Sequence, residues 1–130
     1  MKPLEKDWFD EKRALLESDE IQTFLARFFL VETLVVSVRR KHLQDTNRPV
    51  PSRIPLNVRG FENALMHFNI PTETVRTIFG THETTTYRLL RNRIVHGANL
   101  KAMRHVKTNH TAILTTYDAL IHAIIARFNP

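Results

Sequence analysis

Apolar residues recur along this chain at intervals of three and four, and no alternating run lasts six residues. That period belongs to helices with one buried stripe and speaks against a sheet protein. The clearest case runs from about Ile21 to His42, where Phe24, Leu25, Phe28, Phe29, Val31, Leu34, Val35, Val36 and Val38 crowd one broad face. Arg39, Arg40 and Lys41 follow, and cations suit the negative end of a helix dipole. A last helix is predicted from about Arg104 or Lys107 to Phe128, with Val106, Ile113, Tyr117, Leu120, Ile124 and Phe128 along its stripe. Between them, Pro49, Pro51 and Pro55 forbid a continuous helix across residues 45–58 and leave a Pro-rich connecting loop. A short helix near Arg59–Phe68 follows. Pro71 suits the first turn of the next, Gly80 breaks it, and a further helix runs from about Glu83 to His96. Gly97 then stands where a left-handed cap belongs. An acidic segment from about Leu4 to Ser18 reads as an N-terminal helical extension, with Trp8, Phe9, Leu15 and Leu16 turned to one face. The predicted fold is all-α: an up-and-down bundle of four principal helices plus short extra helices, as a single domain over residues 1–130.

Length and composition fit that reading. A chain of 130 residues serves one core well, whereas two cores of about 65 residues each would be marginal. With 42% hydrophobic residues, wholesale disorder is not expected. The absence of cysteine excludes a disulfide scaffold, a thiolate zinc site and a cysteine nucleophile together. MKPLEKDWFD lacks the apolar run of a signal peptide, and no stretch approaches about 18 uninterrupted apolar residues. A cytoplasmic protein without a membrane span is the expectation.

The formal charge of +6 gains meaning once it is located. Residues 1–20 are net acidic, whereas residues 84–117 carry Arg88, Arg91, Arg93, Lys101, Arg104 and Lys107 with no acid. That window alone equals the whole excess. A field of this kind attracts phosphates, and nucleic acid is the commonest polyphosphate. The plain alternative is a solvated basic face.

The same window contains RLLRNRIVHG. At about 100° per residue, Leu90, Ile94 and Tyr87 define the core side of this helix, with Arg91 at its edge. Asn92 and His96 fall on the opposite side. Arg91 and His96 therefore share a face only if the helix ends before His96; otherwise a second subunit must bring the two groups together.

Arg91-Asn92-Arg93-Ile94-Val95-His96 resembles the R-x4-H signature, with Asn in the second position, of the HEPN domain family (higher eukaryotes and prokaryotes nucleotide-binding). The Leu-Leu before the arginine, the Gly after the histidine and the all-helical layout extend the likeness over about residues 20–128. The resemblance implies a metal-independent endoribonuclease acting as a homodimer, in a toxin or phage-defence setting. His96 would be the acid/base, Arg91 would bind the scissile phosphate, and Asn92 would orient His96 or a phosphate oxygen. The RNA's own 2′-hydroxyl would attack, so no cofactor and no metal is implied. Arg88, Arg93, Lys101, Arg104 and Lys107 would draw in RNA. An antitoxin or other regulatory protein is a possible further partner. Members paired with a nucleotidyltransferase antitoxin carry a tyrosine two residues after the histidine; here that position is Ala98. The alternative is a catalytically inactive member that binds RNA, a nucleotide or a protein.

Glu32 lies on the apolar stripe with Leu25, Phe29, Val35 and Val36, where an unpaired carboxylate is costly. It is expected either to meet a basic group of the motif helix, Arg91 first, or to reach water from the stripe's edge. Phe24, Phe28 and Phe29 read as core rather than a base-stacking platform. His105 and His110 are five apart and unsuited as a same-face metal pair.

Overall fold

The structure, a computed structural model, describes residues 6–129. Of the acidic extension, residues 1–5 therefore lie outside the described residues. In chain order come α1 (Lys6–Leu16), α2 (Asp19–Asp45), α3 (Val58–His67), α4 (Val75–Phe79), α5 (Tyr87–Gly97), α6 (Leu100–Thr108) and α7 (His110–Phe128), with no strand among the described residues. The fold is an all-α bundle built around α2.

That centrality follows from its sequence. Ile21, Phe24, Phe28, Val31, Val35 and Val38 repeat at helical spacing and all are buried. Ser18 begins the helix by accepting a hydrogen bond from the backbone N–H of Ile21. The buried stripe packs against α3, α7, α6 and α5. Each large side chain so buried contributes roughly 1.5–3 kcal/mol relative to exposure. At 27 residues α2 is also long and apolar enough to cross a bilayer, by length and composition only. Here its apolar stripe is the core of the bundle.

From α7, Ile113, Tyr117, Leu120, Ile121 and Ile124 complete that core. Phe24 and Tyr87 meet edge to face, as do Tyr87 and Tyr117.

Several expected boundaries move. The predicted last helix is two, because Asn109 folds its side chain onto the His105 carbonyl and breaks the register between α6 and α7. Pro71 starts no helix; α4 begins at Val75. The motif helix begins at Tyr87, after a turn over residues 83–86 that places Thr86 as its N-cap. It stays helical through Gly97, so it does not end before His96. The left-handed residue is Ala98, at φ 45° and ψ 49°, rather than Gly97. Phe29 is not core but 70% exposed, and Trp8 and Phe9 are also exposed, Trp8 the less so. The apolar surface of α2 is simply wider than the stripe its neighbours cover.

Candidate functional site

Burial of Tyr87, Leu90 and Ile94 fixes the rotation of α5. Arg88, Arg91, Asn92 and Val95, spaced as i, i+3, i+4 and i+7, then share the flank beside that core edge, so Asn92, expected on the opposite side with His96, instead lines the same cavity as Arg91. Three of them meet α2 and the Pro-rich segment around one open cavity of about 700 Å³. Its charged groups are Glu32, Arg40, Arg53, Arg88 and Arg91, and Asn92 adds an amide.

Arg91 is held from several sides. Its guanidinium carbon lies 4.7 Å from the centre of the Phe28 ring, a cation–π distance. Its Nη2 donates to Glu32 Oε2 at 3.4 Å. Glu32 thus meets Arg91, the first of its two expected outcomes, while part of its carboxylate also reaches solvent. Arg91 Nε is buried and has no hydrogen-bond partner. Arg88 Nη1 donates to the Leu56 carbonyl at 2.9 Å and fastens the Pro-rich segment to α5.

Four guanidiniums against one carboxylate leave the cavity strongly positive. Arginines in such an arrangement match the fork geometry of phosphate oxygens. Nearby, burial pushes the Tyr117 hydroxyl pKa up, with Tyr87 adding and Arg91 opposing. Tyr117 therefore stays protonated at neutral pH and offers no base.

His96 stands elsewhere. It is exposed in the last turn of α5, one turn beyond Asn92, and does not line the cavity. Within one protomer, Arg91, Asn92, Arg88 and Glu32 are brought together and His96 is not. Arg93, Lys101 and Lys107 are exposed on helix surfaces away from the cavity lining. Arg104 is ion-paired with Glu11 of α1. Lys12 Nζ donates to the Gly97 carbonyl at 3.1 Å, placing a cation at the negative end of α5. The acid-free window of the sequence thus acquires a carboxylate from the acidic extension, and its field is weaker there than the linear charge count implies.

Sequence reasoning missed Arg40 and Arg53. The signal was present: a basic run closing α2 and an arginine among the loop prolines. Arg40 was accounted for by the helix dipole alone, and nothing local says that the loop folds back beside α5. Among the described residues, no three His, Cys, Asp or Glu side chains are grouped to hold a metal ion. The chain matches no protein-family model, no curated protein and no solved structure.

Proposed function

We propose that this chain binds RNA through the four-arginine cavity and, as a homodimer of HEPN type, cleaves it without a metal. The single observation that carries the reading is the cavity itself, in which, among the described residues, Arg40, Arg53, Arg88 and Arg91 face one space with Glu32 as the only carboxylate. Buried or crowded like charges are costly, and a phosphodiester relieves that cost. The resemblance of Arg91–His96 to the R-x4-H signature supplies the chemistry. Arg91 would hold the scissile phosphate and stabilise its added negative charge. His96 would take the 2′-hydroxyl proton as that oxygen attacks phosphorus and hand a proton to the 5′-oxygen as its bond to phosphorus breaks, giving a cyclic phosphate and a 5′-hydroxyl. Because α5 is regular through residue 97, His96 would come to that phosphate from a second copy. A toxin or phage-defence role follows from the same resemblance.

The test is cleavage of RNA by the purified protein in the presence of chelator. Loss of a proton-transfer group costs about 10²–10⁴-fold in rate, so His96→Ala should be nearly inert while keeping its RNA affinity. Equal cleavage by both proteins would overturn the role of His96. A second reading, RNA binding without cleavage, is favoured by one observation: His96 lies outside the cavity in the protomer. Salt-sensitive binding with no cleavage by the wild type would select it.

A further inference from the structure

The Pro-rich segment does not border one cavity but two. Ile54 and Pro55 line both, with the four-arginine space on the α5 side and a second, of about 420 Å³, on the α3 side. Consecutive residues of α2 serve opposite sides of this partition, Arg40 facing the first and Arg39 the second. Arg39 is half-buried. A Cβ at Gly60 would lie only 3.3 Å from Arg39 Nε, so the first turn of α3 closes on that side chain and fixes it.

The charge around Arg39 is uncompensated. Arg39 Nη1 lies 3.0 Å from His42 Nδ1, and Arg48 Nη2 approaches the other ring nitrogen of His42 at 3.3 Å. Among the described residues, neither Arg39 nor Arg59, the other arginine of this cavity, pairs with a carboxylate. Burial and the pressure of the neighbouring Arg48 charge both lower the Arg39 pKa from its ordinary value. An anion in the cavity would relieve that pressure. The remaining walls are of two kinds: Pro49, Pro51 and Pro55 offer flat apolar surface, Asn63 offers an amide, and Asn57 offers its NH2 group while its Oδ1 caps α3 by accepting from the Gly60 N–H. Two cations, an apolar wall and amide groups form the set that a phosphate joined to a planar heterocycle requires, in a volume within the usual range of small-ligand sites.

We propose that the α3-side cavity is a nucleotide subsite, with phosphate taken by Arg39 and Arg59 and the base laid against the prolines near Asn57 and Asn63. The choice of a nucleotide over other ring-bearing anions rests on the RNA reading of the adjoining cavity. A strand lying across residues 49–57 would then be gripped on both sides of the partition.

The experiment is calorimetric titration of the full chain with uridine and adenosine 5′-monophosphate and with inorganic phosphate, at low ionic strength. Arg59→Ala, Arg39→Gln and Arg53→Ala are the variants. Arg59 and Arg53 are exposed, so their removal leaves the core intact, and thermal melts check each fold. The expected result is that a nucleotide binds more tightly than phosphate, that Arg59→Ala and Arg39→Gln each weaken the nucleotide about tenfold, and that Arg53→Ala weakens inorganic phosphate and RNA more than it weakens the nucleotide. Loss through Arg53→Ala alone, equal affinity for bare phosphate, or no binding would each overturn the subsite. RNA binding is measured in parallel. Retained RNA with no nucleotide binding sinks this inference alone, whereas nucleotide binding without RNA binding sinks the proposed function and leaves the subsite standing.

Discussion

Arg91 Nη2 stands 3.4 Å from Glu32 Oε2, tying the motif helix to the central helix across 59 residues of chain. The side chains are 25% and 30% exposed, so solvent screens much of the attraction and the pair contributes about 1 kcal/mol. Its larger effect is directional. With Phe28 on one side and Glu32 on another, the guanidinium is already oriented towards the cavity. Glu32→Gln should lower Tm by roughly 3–5 °C. It also removes the Glu32 charge from the cavity, so RNA should be retained as well or better at low salt while cleavage falls. Thermal melts, filter binding and cleavage assays read the three effects. Unchanged melting together with unchanged cleavage would show that the pair does nothing.

The exposed apolar residues of α2 give the dimer a concrete form. Phe29, Glu32 and Val36 share one face, with Phe29 70% exposed, and Val95, 54% exposed, lies on the flank of α5 that carries Arg91 and Asn92. Large apolar groups beside a site that needs a second copy are natural contact points. Wild type is expected to sediment as a dimer at micromolar concentration. Phe29→Glu should sediment as a monomer with unchanged helicity, because Phe29 supports no core contact. A strictly monomeric wild type would remove the composite site.

Helical period made the bundle legible, because Ile21, Phe24, Phe28 and Val31 can share a side only on a helix. Glu32 is legible in part: a carboxylate amid apolar neighbours needs a partner or water, and the sequence does not say which. Chain ends and register breaks were less so. Asn109 closes α6 by donating its side-chain amide to the His105 carbonyl, a local hydrogen bond that period does not reveal, and α7 starts at the next residue. Phe29 reads as core in the sequence because apolar character says nothing about how many neighbours arrive. The cavity depends on the path of residues 46–57, which is fixed at long range by Arg88 reaching the Leu56 carbonyl.

His42 should make stability depend on pH. It is buried between Arg39 and Arg48, its ring stacks 4.6 Å from that of His67, and Asp45 lies 3.7 Å from His67. Burial lowers its pKa below the ordinary 6.5, and His67, Arg48 and Arg39 lower it further against the opposing pull of Asp45. The unfolded chain thus binds the His42 proton more readily than the folded one. The contribution is complete above about pH 6.5 and is lost as pH falls below it. Tm measured from pH 8 down to pH 5 should decline, and His42→Gln should flatten the lower part of that profile. An identical slope in the variant would place the pH dependence in other groups.

The end of the motif helix offers a test in which sequence expectation and structure predict opposite signs. Gly97 follows the histidine and would be taken for the left-handed cap, yet it is helical, and a Cβ there would meet nothing within 4 Å. Ala98 instead adopts φ 45° and donates its N–H to the Ile94 carbonyl at 2.9 Å. A helical glycine costs up to about 1 kcal/mol relative to alanine. A left-handed alanine costs about 1 kcal/mol relative to glycine, partly offset here by the packing of its methyl against the core. Gly97→Ala and Ala98→Gly should therefore each stabilise, and the double exchange should raise stability by about 1–2 kcal/mol. Neither touches Arg91, so RNA affinity should not change. Denaturant melts of the three variants decide it. Destabilisation by Gly97→Ala would move the left-handed turn to residue 97, shorten the helix by one residue, and let His96 swing from the position described here.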